Sequence, residues 1–327
     1  MKIAYVCTEN LPVPPVKGGA VQTHIAGILP VISRLHDVTV FCVEAEELPN
    51  EETEDGVTYI RLPAPDREQY LANVRSALAR KRFDLVHVFN RPAWVPVLSE
   101  AAFGARFCLR VHNSMFEPDK ITQEAAEAAI QIVAAIDTVS DFIGRKIAAR
   151  FPEAVSKLRT VYSGVDVERF APIWSRRGQK LRRQMREKLG LKDAPVVLYV
   201  GRLSPNKGPH LLIPMMERVL EEIPDAVLVI VGSRWFGQTE RCEYSDELEK
   251  TARSLGLEKR VRFTGYVPAL EVEKYFVIGD VFICTSQWEE PLARVHYEAM
   301  GAGLPIVTTA RGGNPEVVYP EVNGYVV

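Results

Sequence analysis

The sequence contains no apolar run of the roughly 20 residues that a membrane-spanning helix needs. The apolar run from Met1 to Cys7 is too short for a signal peptide and ends at Thr8. The formal net charge is only −2, so binding to nucleic acid is not expected. These absences predict a cytoplasmic protein, or one held at a surface by something other than a membrane span.

Cysteine is scarce and unpatterned. The chain has five cysteines, none with the spacing of a metal site, and four of them lie in apolar runs typical of strands. No Asp-x-Asp motif occurs, so a metal-dependent diphosphate site is not predicted. The pattern suits a reducing cytoplasm, and we predict no metal ligands.

What the sequence does contain is a regular alternation of short apolar runs and longer helical patterns. At 327 residues, with 47% hydrophobic and 25% charged residues, the chain exceeds one ordinary core, which predicts two domains. The alternation indicates an α/β fold with parallel sheets. The predicted strands span 2–7, 37–43, 56–62, 84–89, 106–111, 137–139, 159–162, 196–200, 227–231, 261–263, 281–284 and 305–308.

The character of the chain changes after Phe170, where a strongly basic stretch begins. We therefore predict two Rossmann-like doubly wound domains, 1–170 and 171–327. Ligands bind such sheets beyond the carboxyl ends of the strands, so two such domains facing one another are expected to form a cleft. Residues 323–327 look like a turn and the opening of a strand, which predicts that the second domain is truncated at its C-terminus.

The strongest motif is Gly201-Arg202-Leu203-Ser204-Pro205-Asn206-Lys207-Gly208, placed between a predicted strand and a predicted helix. Glycine at a strand end lets the backbone approach a ligand closely. Arg202 and Lys207 both suit phosphate oxygens, and the following helix adds its positive end. A solvated loop with two unrelated cations is the alternative.

The second motif has two carboxylates eight residues apart, Glu290 and Glu298, around a loop-to-helix transition. Glu290 is predicted at the helix entrance and Glu298 about two turns into the helix. Two such carboxylates can grip hydroxyls at separate points of one extended ligand. Free N–H groups near Leu292, Ala293 and Arg294 are predicted to meet a phosphate. A helix with one capping and one surface glutamate is the alternative.

Together these motifs resemble the retaining GT-B glycosyltransferases of family 4, and the likeness covers almost the whole chain. The resemblance implies that the second domain binds a nucleotide-sugar and that the first domain lies on the acceptor side. It assigns the diphosphate to Arg202 and Lys207, the donor sugar to Glu290, and the ribose hydroxyls to Glu298. It also places Gly18 and Gly19 beside the donor phosphates, and the late glycine loop 311–316 near the donor site.

His112 follows a predicted strand and resembles the family's acceptor-side histidine near the transferred sugar. Catalytic roles are therefore predicted for His112 and Glu290, with a purely structural His112 as the alternative. His24 faces the expected cleft, where it either contacts acceptor or is structural. His87 is predicted to be a hydrogen-bonded strand histidine. His296 is predicted to pack inside the donor motif.

Within the family, the chain most resembles the Bacillus spore coat protein SA group, through the stretches 9–14, 83–88 and 287–298. It departs from the family pattern at Leu292-Ala293, where Phe-Gly is usual, and at Ser163-Gly164, where Asn-Gly is common. The subgroup likeness and Ala293 support a second hypothesis: a catalytically weak or inactive glycosyltransferase-like component of a spore coat.

The basic stretch 176–188 carries apolar residues at four-residue spacing, which predicts an amphipathic helix. Such a helix either docks its apolar stripe on the domain or lies on an anionic membrane surface.

The expected function is metal-independent sugar transfer with retention, by electrostatic stabilisation of the departing diphosphate. The expected donor is a UDP-sugar and no cofactor is expected. The acceptor is a glycan, a lipid or a small molecule. An epimerase or a phosphorylase of the same fold is the remaining alternative, although no motif for a lysine-bound pyridoxal site occurs.

Overall fold

The computed structural model describes residues 1–234 and 243–327, which form two compact units, Met1–Ser163 and Gly164–Val327. The change of unit comes ahead of the predicted boundary at Phe170. The Phe170 ring packs 5.7 Å from that of Phe276, and Arg169 forms an ion pair with Glu273. The segment before the basic stretch therefore belongs to the second unit.

The first unit contains an eight-stranded sheet in the order β3-β4-β2-β1-β5-β6-β7-β8. All neighbouring strands are parallel except β3 and β4. The short edge strand β3 was not predicted, because its Glu-Glu-Thr-Glu sequence carries no apolar alternation. The strands are β1 Lys2–Val6, β2 Asp37–Val43, β3 Glu51–Glu54, β4 Val57–Leu62, β5 Leu85–Phe89, β6 Arg106–Val111, β7 Ala135–Thr138 and β8 Leu158–Thr160.

Three of the helices in the first unit begin at a side-chain cap, from Asp66, Thr122 and Ser140, which satisfies N–H groups of the first turn. The first helix has no side-chain cap and continues past Pro30, which lies in its last turn. The helices are α1 Ala20–Ile32, α2 Arg67–Leu78, α3 Trp94–Ala101, α4 Gln123–Ile132 and α5 Asp141–Arg150.

The second unit contains a six-stranded parallel sheet in the order β11-β10-β9-β12-β13-β14. The predicted turn and strand opening near its end is confirmed, because β14 pairs with β13. The strands are β9 Val196–Val200, β10 Val227–Val231, β11 Val261–Phe263, β12 Val281–Cys284, β13 Ile306–Thr308 and β14 Gly324–Val326; the α-helices are α6 Arg176–Lys188, α7 Leu212–Glu222, α8 Glu243–Ser254, α9 Glu273–Phe276 and α10 Val295–Ala302.

The central strands β9 and β10 are apolar and buried at every position, as expected of a parallel sheet covered on both faces. Beyond them, Gly232 has φ 136°, and a Cβ there would lie 2.0 Å from the carbonyl oxygen of Gly201. Only glycine allows the two strand ends to approach this closely. In the first unit the sheet order reverses between β1 and β5, and in the second between β9 and β12. Ligands of open α/β sheets bind at such points.

The basic helix α6 contacts its own unit. Met185 is buried, and Arg182 and Arg186 donate hydrogen bonds to carbonyl groups after α9 and to Asp280. Arginine forks of this kind satisfy carbonyls at a helix C-terminus. These contacts favour the first of the two predicted alternatives, in which α6 docks its apolar side on its own domain. In the described ranges, no helix has both the length and the apolar character that crossing a bilayer requires.

Candidate functional site

The two predicted motifs of the second unit meet at the carboxyl edge of its sheet. The Thr285 hydroxyl donates to the carbonyl of Lys207 at 3.0 Å, and the Gln287 N–H donates to the carbonyl of Asn206 at 2.8 Å. Gly208 has φ 71°, and a Cβ there would lie 2.1 Å from the Thr285 carbonyl oxygen. The loop after β9 and the loop after β12 are therefore one packed structure.

The Glu290 carboxylate is the centre of this structure. Its Oε2 accepts hydrogen bonds from Lys207 Nζ at 2.6 Å, Ser286 Oγ at 2.9 Å and Trp288 Nε1 at 2.8 Å. Glu290 is only 6% exposed, and burying a carboxylate costs free energy unless hydrogen-bond donors of this kind satisfy it. Lys207 and Glu290 were predicted as ligands of the same molecule; Ser286 and Trp288 were not predicted.

The late glycine loop holds the backbone of Glu290. The Gly313 N–H donates to the Glu290 carbonyl at 2.8 Å. Gly312 has φ 58°, and a Cβ there would lie 1.9 Å from the same oxygen. The main chain of Glu290 is thus held by the late glycine loop, and its side chain by Lys207, far away in the sequence, together with the nearby Ser286 and Trp288.

The backbone N–H and the backbone carbonyl of Ala293 are both already hydrogen-bonded. Its N–H donates to Asn314 Oδ1 at 3.1 Å, and its carbonyl accepts from His296 Nδ1 at 2.9 Å. His296 Nε2 lies 2.9 Å from the Thr308 hydroxyl, which is the donor in this tautomer. The expectation of a free N–H for a phosphate is therefore wrong for Ala293, while Leu292 and Arg294 remain candidates. His296 packs, as predicted, and Asn314 was missed.

Glu298 lies in the first turn of α10, not about two turns into it, because the loop continues to Arg294. Its Oε1 is 3.7 Å from Arg294 Nε. Burial raises the pKa of Glu298 above its ordinary value, and the neighbouring arginine opposes that rise. Glu290 thus lies in the loop before α10, and Glu298 lies in the first turn of that helix.

Arg202 is half-buried in the loop after β9, and its carbonyl accepts a hydrogen bond from the Tyr199 hydroxyl at 2.9 Å. It borders a cavity of about 390 Å³ that Arg234, Tyr244 and Glu247 also line. Lys207 and Glu290 are not among its lining residues. Arg202 and Lys207 therefore share one loop, but of the two only Arg202 borders this cavity. Within 1–234 and 243–327, no three His, Cys, Asp or Glu residues cluster as metal ligands.

In the first unit, Gly18 and Gly19 have φ 94° and 103° and precede α1 directly. A Cβ on Gly19 would lie 2.3 Å from Gln22 Oε1. The preceding loop is anchored by Arg61, whose Nε and Nη2 donate to the Val13 carbonyl at 3.2 and 3.1 Å. The predicted glycine pair thus has positive φ angles, which glycine adopts without strain and most other residues do not.

His112 follows β6, and its N–H donates to Asn90 Oδ1 at 2.7 Å. Its ring packs 5.0 Å from that of His24, with Phe89 beside both. Asn90 has φ 54°, a conformation that asparagine adopts more readily than most residues. His112 and His24 therefore form one cluster at the carboxyl edge of the first sheet. The sequence offered no signal for Asn90.

The prediction of a hydrogen-bonded His87 is wrong for the described part of the chain. Its buried Nε2 has no hydrogen-bond partner there, and the Asp137 carboxylate lies 3.6 Å away, too far for a hydrogen bond. Burial, with the charge of Arg110, lowers the pKa of His87 to about 3. His87 is thus neutral.

Comparison with known proteins gives the family. Residues 182–327 match "Glycosyl transferases group 1", and residues 19–164 match "Glycosyl transferase 4-like domain". The chain is 48% identical to Spore coat protein SA of Bacillus subtilis (strain 168), over all of this chain and 85% of that protein. It is 46% identical to Putative glycosyltransferase YtcC of the same organism, over all of this chain and 79% of that protein.

Among solved structures, HepE of Anabaena in complex with UDP-glucose has a TM-score of 0.72 and 22% identity, covering all of this chain and 85% of that one. This likeness shows the fold, and the predicted α/β GT-B class is confirmed. The predicted resemblance to the spore coat protein SA group is confirmed as well. The chain belongs to the group 1 glycosyltransferases.

Proposed function

We propose that this chain transfers a sugar from a nucleotide-diphosphate sugar to an acceptor hydroxyl, with retention of configuration and without a metal ion. The observation that carries the proposal is the Lys207–Glu290 pair at the switch point of the second sheet. There a cation for phosphate and a carboxylate for sugar hydroxyls occupy the place where such sheets bind ligands.

The proposed chemistry is electrostatic. As the bond between the sugar and the diphosphate breaks, negative charge grows on the leaving phosphate. We assign the stabilisation of that charge to Lys207, Arg202 and the N–H groups of Leu292 and Arg294. The acceptor hydroxyl attacks from the face that the diphosphate leaves, and its proton passes to the leaving phosphate. Cations in place of an Asp-x-Asp motif support a metal-independent site.

A UDP-sugar is the proposed donor, supported by the UDP-glucose in the HepE structure. We assign the ribose hydroxyls to Glu298, the donor sugar to Glu290, and the role of catalytic histidine at the transferred sugar to His112. The ionised form of Glu298 accepts hydrogen bonds from hydroxyls. Because its pKa is raised, donor binding should weaken as the pH falls through that pKa.

The test is donor binding by thermal shift with UDP-, GDP-, ADP- and TDP-sugars, since a ligand of the folded state raises the melting temperature. The double variant Arg202→Ala, Lys207→Ala should abolish the shift that the wild type gives. Arg183→Ala, which removes an exposed cation of α6, is the matched control and should keep it. An unchanged shift in the double variant would remove the assignment.

A second candidate is a coat component with little or no turnover, located in the cytoplasm until it joins the spore coat. It is favoured by the 48% identity to Spore coat protein SA. The bonded N–H of Ala293 also reduces the donors available to a phosphate. Slow hydrolysis of a bound nucleotide-sugar by the wild type, lost in the Lys207→Ala variant, would exclude a coat component without turnover. The acceptor proposed for the enzyme is a glycan, a lipid or a small molecule.

A further inference from the structure

Lys207 has two competing tasks at the proposed donor site. Its Nζ now lies 2.6 Å from Glu290 Oε2, with only 18% of the Lys207 side chain exposed. A diphosphate arriving at the same ammonium group would compete with the carboxylate for its three N–H donors. Glu290 must then keep its position with less help from Lys207.

Trp288 contacts both members of this pair. Its indole N–H donates to Glu290 Oε2 at 2.8 Å, and its ring centroid lies 5.6 Å from Lys207 Nζ. The second distance is within the range of cation–π attraction. Trp288 itself is half-buried, so one side chain links the carboxylate, the cation and the surface of the site.

The Ser286 hydroxyl is not a sufficient partner for the Glu290 carboxylate by itself. Its hydroxyl also donates to Glu290 Oε2, but it lies 3.7 Å from Cys284 Sγ and can rotate between the two. An indole N–H can only donate, and the rigid ring fixes its direction, so it does not switch between partners as a hydroxyl does. Trp288 is therefore the partner of Glu290 whose hydrogen bond does not depend on the position of Lys207.

We propose that Trp288 is a positioning residue of the donor site. Its N–H holds the Glu290 carboxylate in place, and its ring retains the ammonium group, while Lys207 moves from Glu290 to the donor's diphosphate. The role in turnover rests on the proposed function. The hydrogen bond to Glu290 without Lys207 is a property of the protein alone and can be tested without a donor.

The first experiment records the ¹⁵N indole resonances of the four tryptophans, with Trp288 assigned by Trp288→Phe. Glu290→Gln should shift the Trp288 resonance, because the indole N–H loses a charged acceptor. Lys207→Met should leave that resonance at the position of a bonded indole. Trp174, which is 68% exposed, is the internal reference. The proposal is overturned if Glu290→Gln leaves the chemical shift of the Trp288 indole unchanged. It is also overturned if Lys207→Met moves that resonance to the position of the exposed Trp174.

The second experiment measures hydrolysis of whichever nucleotide-sugar the wild type accepts. Trp288→Phe keeps a ring under Lys207 and loses the N–H, so kcat should fall about tenfold while KM changes little. Trp288→Leu loses both contacts and should also raise KM. Trp174→Phe is the control and should match the wild type. A wild-type kcat in Trp288→Phe overturns the proposal.

The two experiments separate the failure of this inference from that of the proposed function. A wild-type protein that binds none of the nucleotide-sugars refutes the donor site as a whole. The resonance experiment needs no donor, so it still decides whether Trp288 holds Glu290 independently of Lys207.

Discussion

The carboxyl edges of the two sheets are organised differently. In the second unit, the side chains of the edge come from two short motifs and bond to one another, with Glu290 accepting from Lys207, Ser286 and Trp288. In the first unit, the edge depends on residues from separate strands, as when Asn90 after β5 holds the backbone of His112 after β6. Contiguous motifs made Lys207 and Glu290 predictable from the sequence, whereas Asn90, the partner of His112 on a separate strand, was not predictable.

The same contrast applies to the loops that carry glycines. The late glycine loop of the second unit lies against Glu290 through Gly312 and Gly313. The glycine pair of the first unit follows a loop that Arg61, far away on β4, anchors at Val13. We therefore expect changes in the late glycine loop to displace Glu290, a proposed ligand contact. We expect changes at Arg61 to reduce the stability of the first unit. Substitutions at Arg61 and at Gly312 test this difference.

The largest expected effect is on the stability of the first unit. Arg61 has a fully buried side chain that bonds to the Val13 and Pro49 carbonyls and pairs with Glu52 at 2.6 Å. Arg61→Met leaves these groups without their partner and should lower the free energy of unfolding by about 3 kcal/mol. Urea unfolding followed by the indole ¹⁵N resonance of Trp94 measures it, because Trp94 is the only tryptophan of 1–163 and its resonance is separate from those of the other three.

The control for this prediction is Arg67→Met. Arg67 also forms an ion pair, with Glu9 at 3.0 Å, but 67% of its side chain is exposed. An exposed pair contributes about 1 kcal/mol at most. Equal losses in the two variants would show that the buried arginine does not anchor the loop.

The next effect is on turnover. An alanine at Gly312 would place a Cβ 1.9 Å from the Glu290 carbonyl oxygen and hold a left-handed backbone of φ 58°. Glu290 must move, and a displacement of about 1 Å costs on the order of a hundredfold in rate. Nucleotide-sugar hydrolysis measures the loss. Gly104→Ala is the control. Gly104 also has a positive φ, 88°, but a Cβ added there would meet no atom within 4 Å, so this variant should keep wild-type turnover. Full activity in Gly312→Ala would contradict the coupling of this loop to Glu290.

The architecture of both units could be predicted from apolar alternation, because parallel strands buried on both faces leave a strong pattern. The edge strand β3 could not, since its polar residues follow no such pattern. In the site, Lys207 and Glu290 were predicted because each lies in a compact motif. The start of α10 at Val295 and the capture of the Ala293 N–H by Asn314 depend on tertiary contacts that no local sequence reports.

The smallest expected effect is on acid stability and concerns His87 of the first unit. Its pKa is about 3 in the folded protein, against an ordinary value of 6.5. Below pH 6.5 the unfolded chain binds a proton at this histidine and the folded chain does not, so stability falls as the pH drops towards 3 and is unaffected above 6.5. At pH 5 this corresponds to about 2 kcal/mol.

Trp94-monitored urea unfolding at pH 7 and pH 5 measures this loss in the wild type and in His87→Gln, which cannot take up a proton. The variant should lose about 2 kcal/mol less between the two pH values than the wild type does. Because His87 belongs to the first unit, unfolding of the second unit should show no difference between the two proteins. If both proteins lose the same stability between pH 7 and pH 5, His87 is charged in the folded state, and Asp137 at 3.6 Å is its ion-pair partner after all.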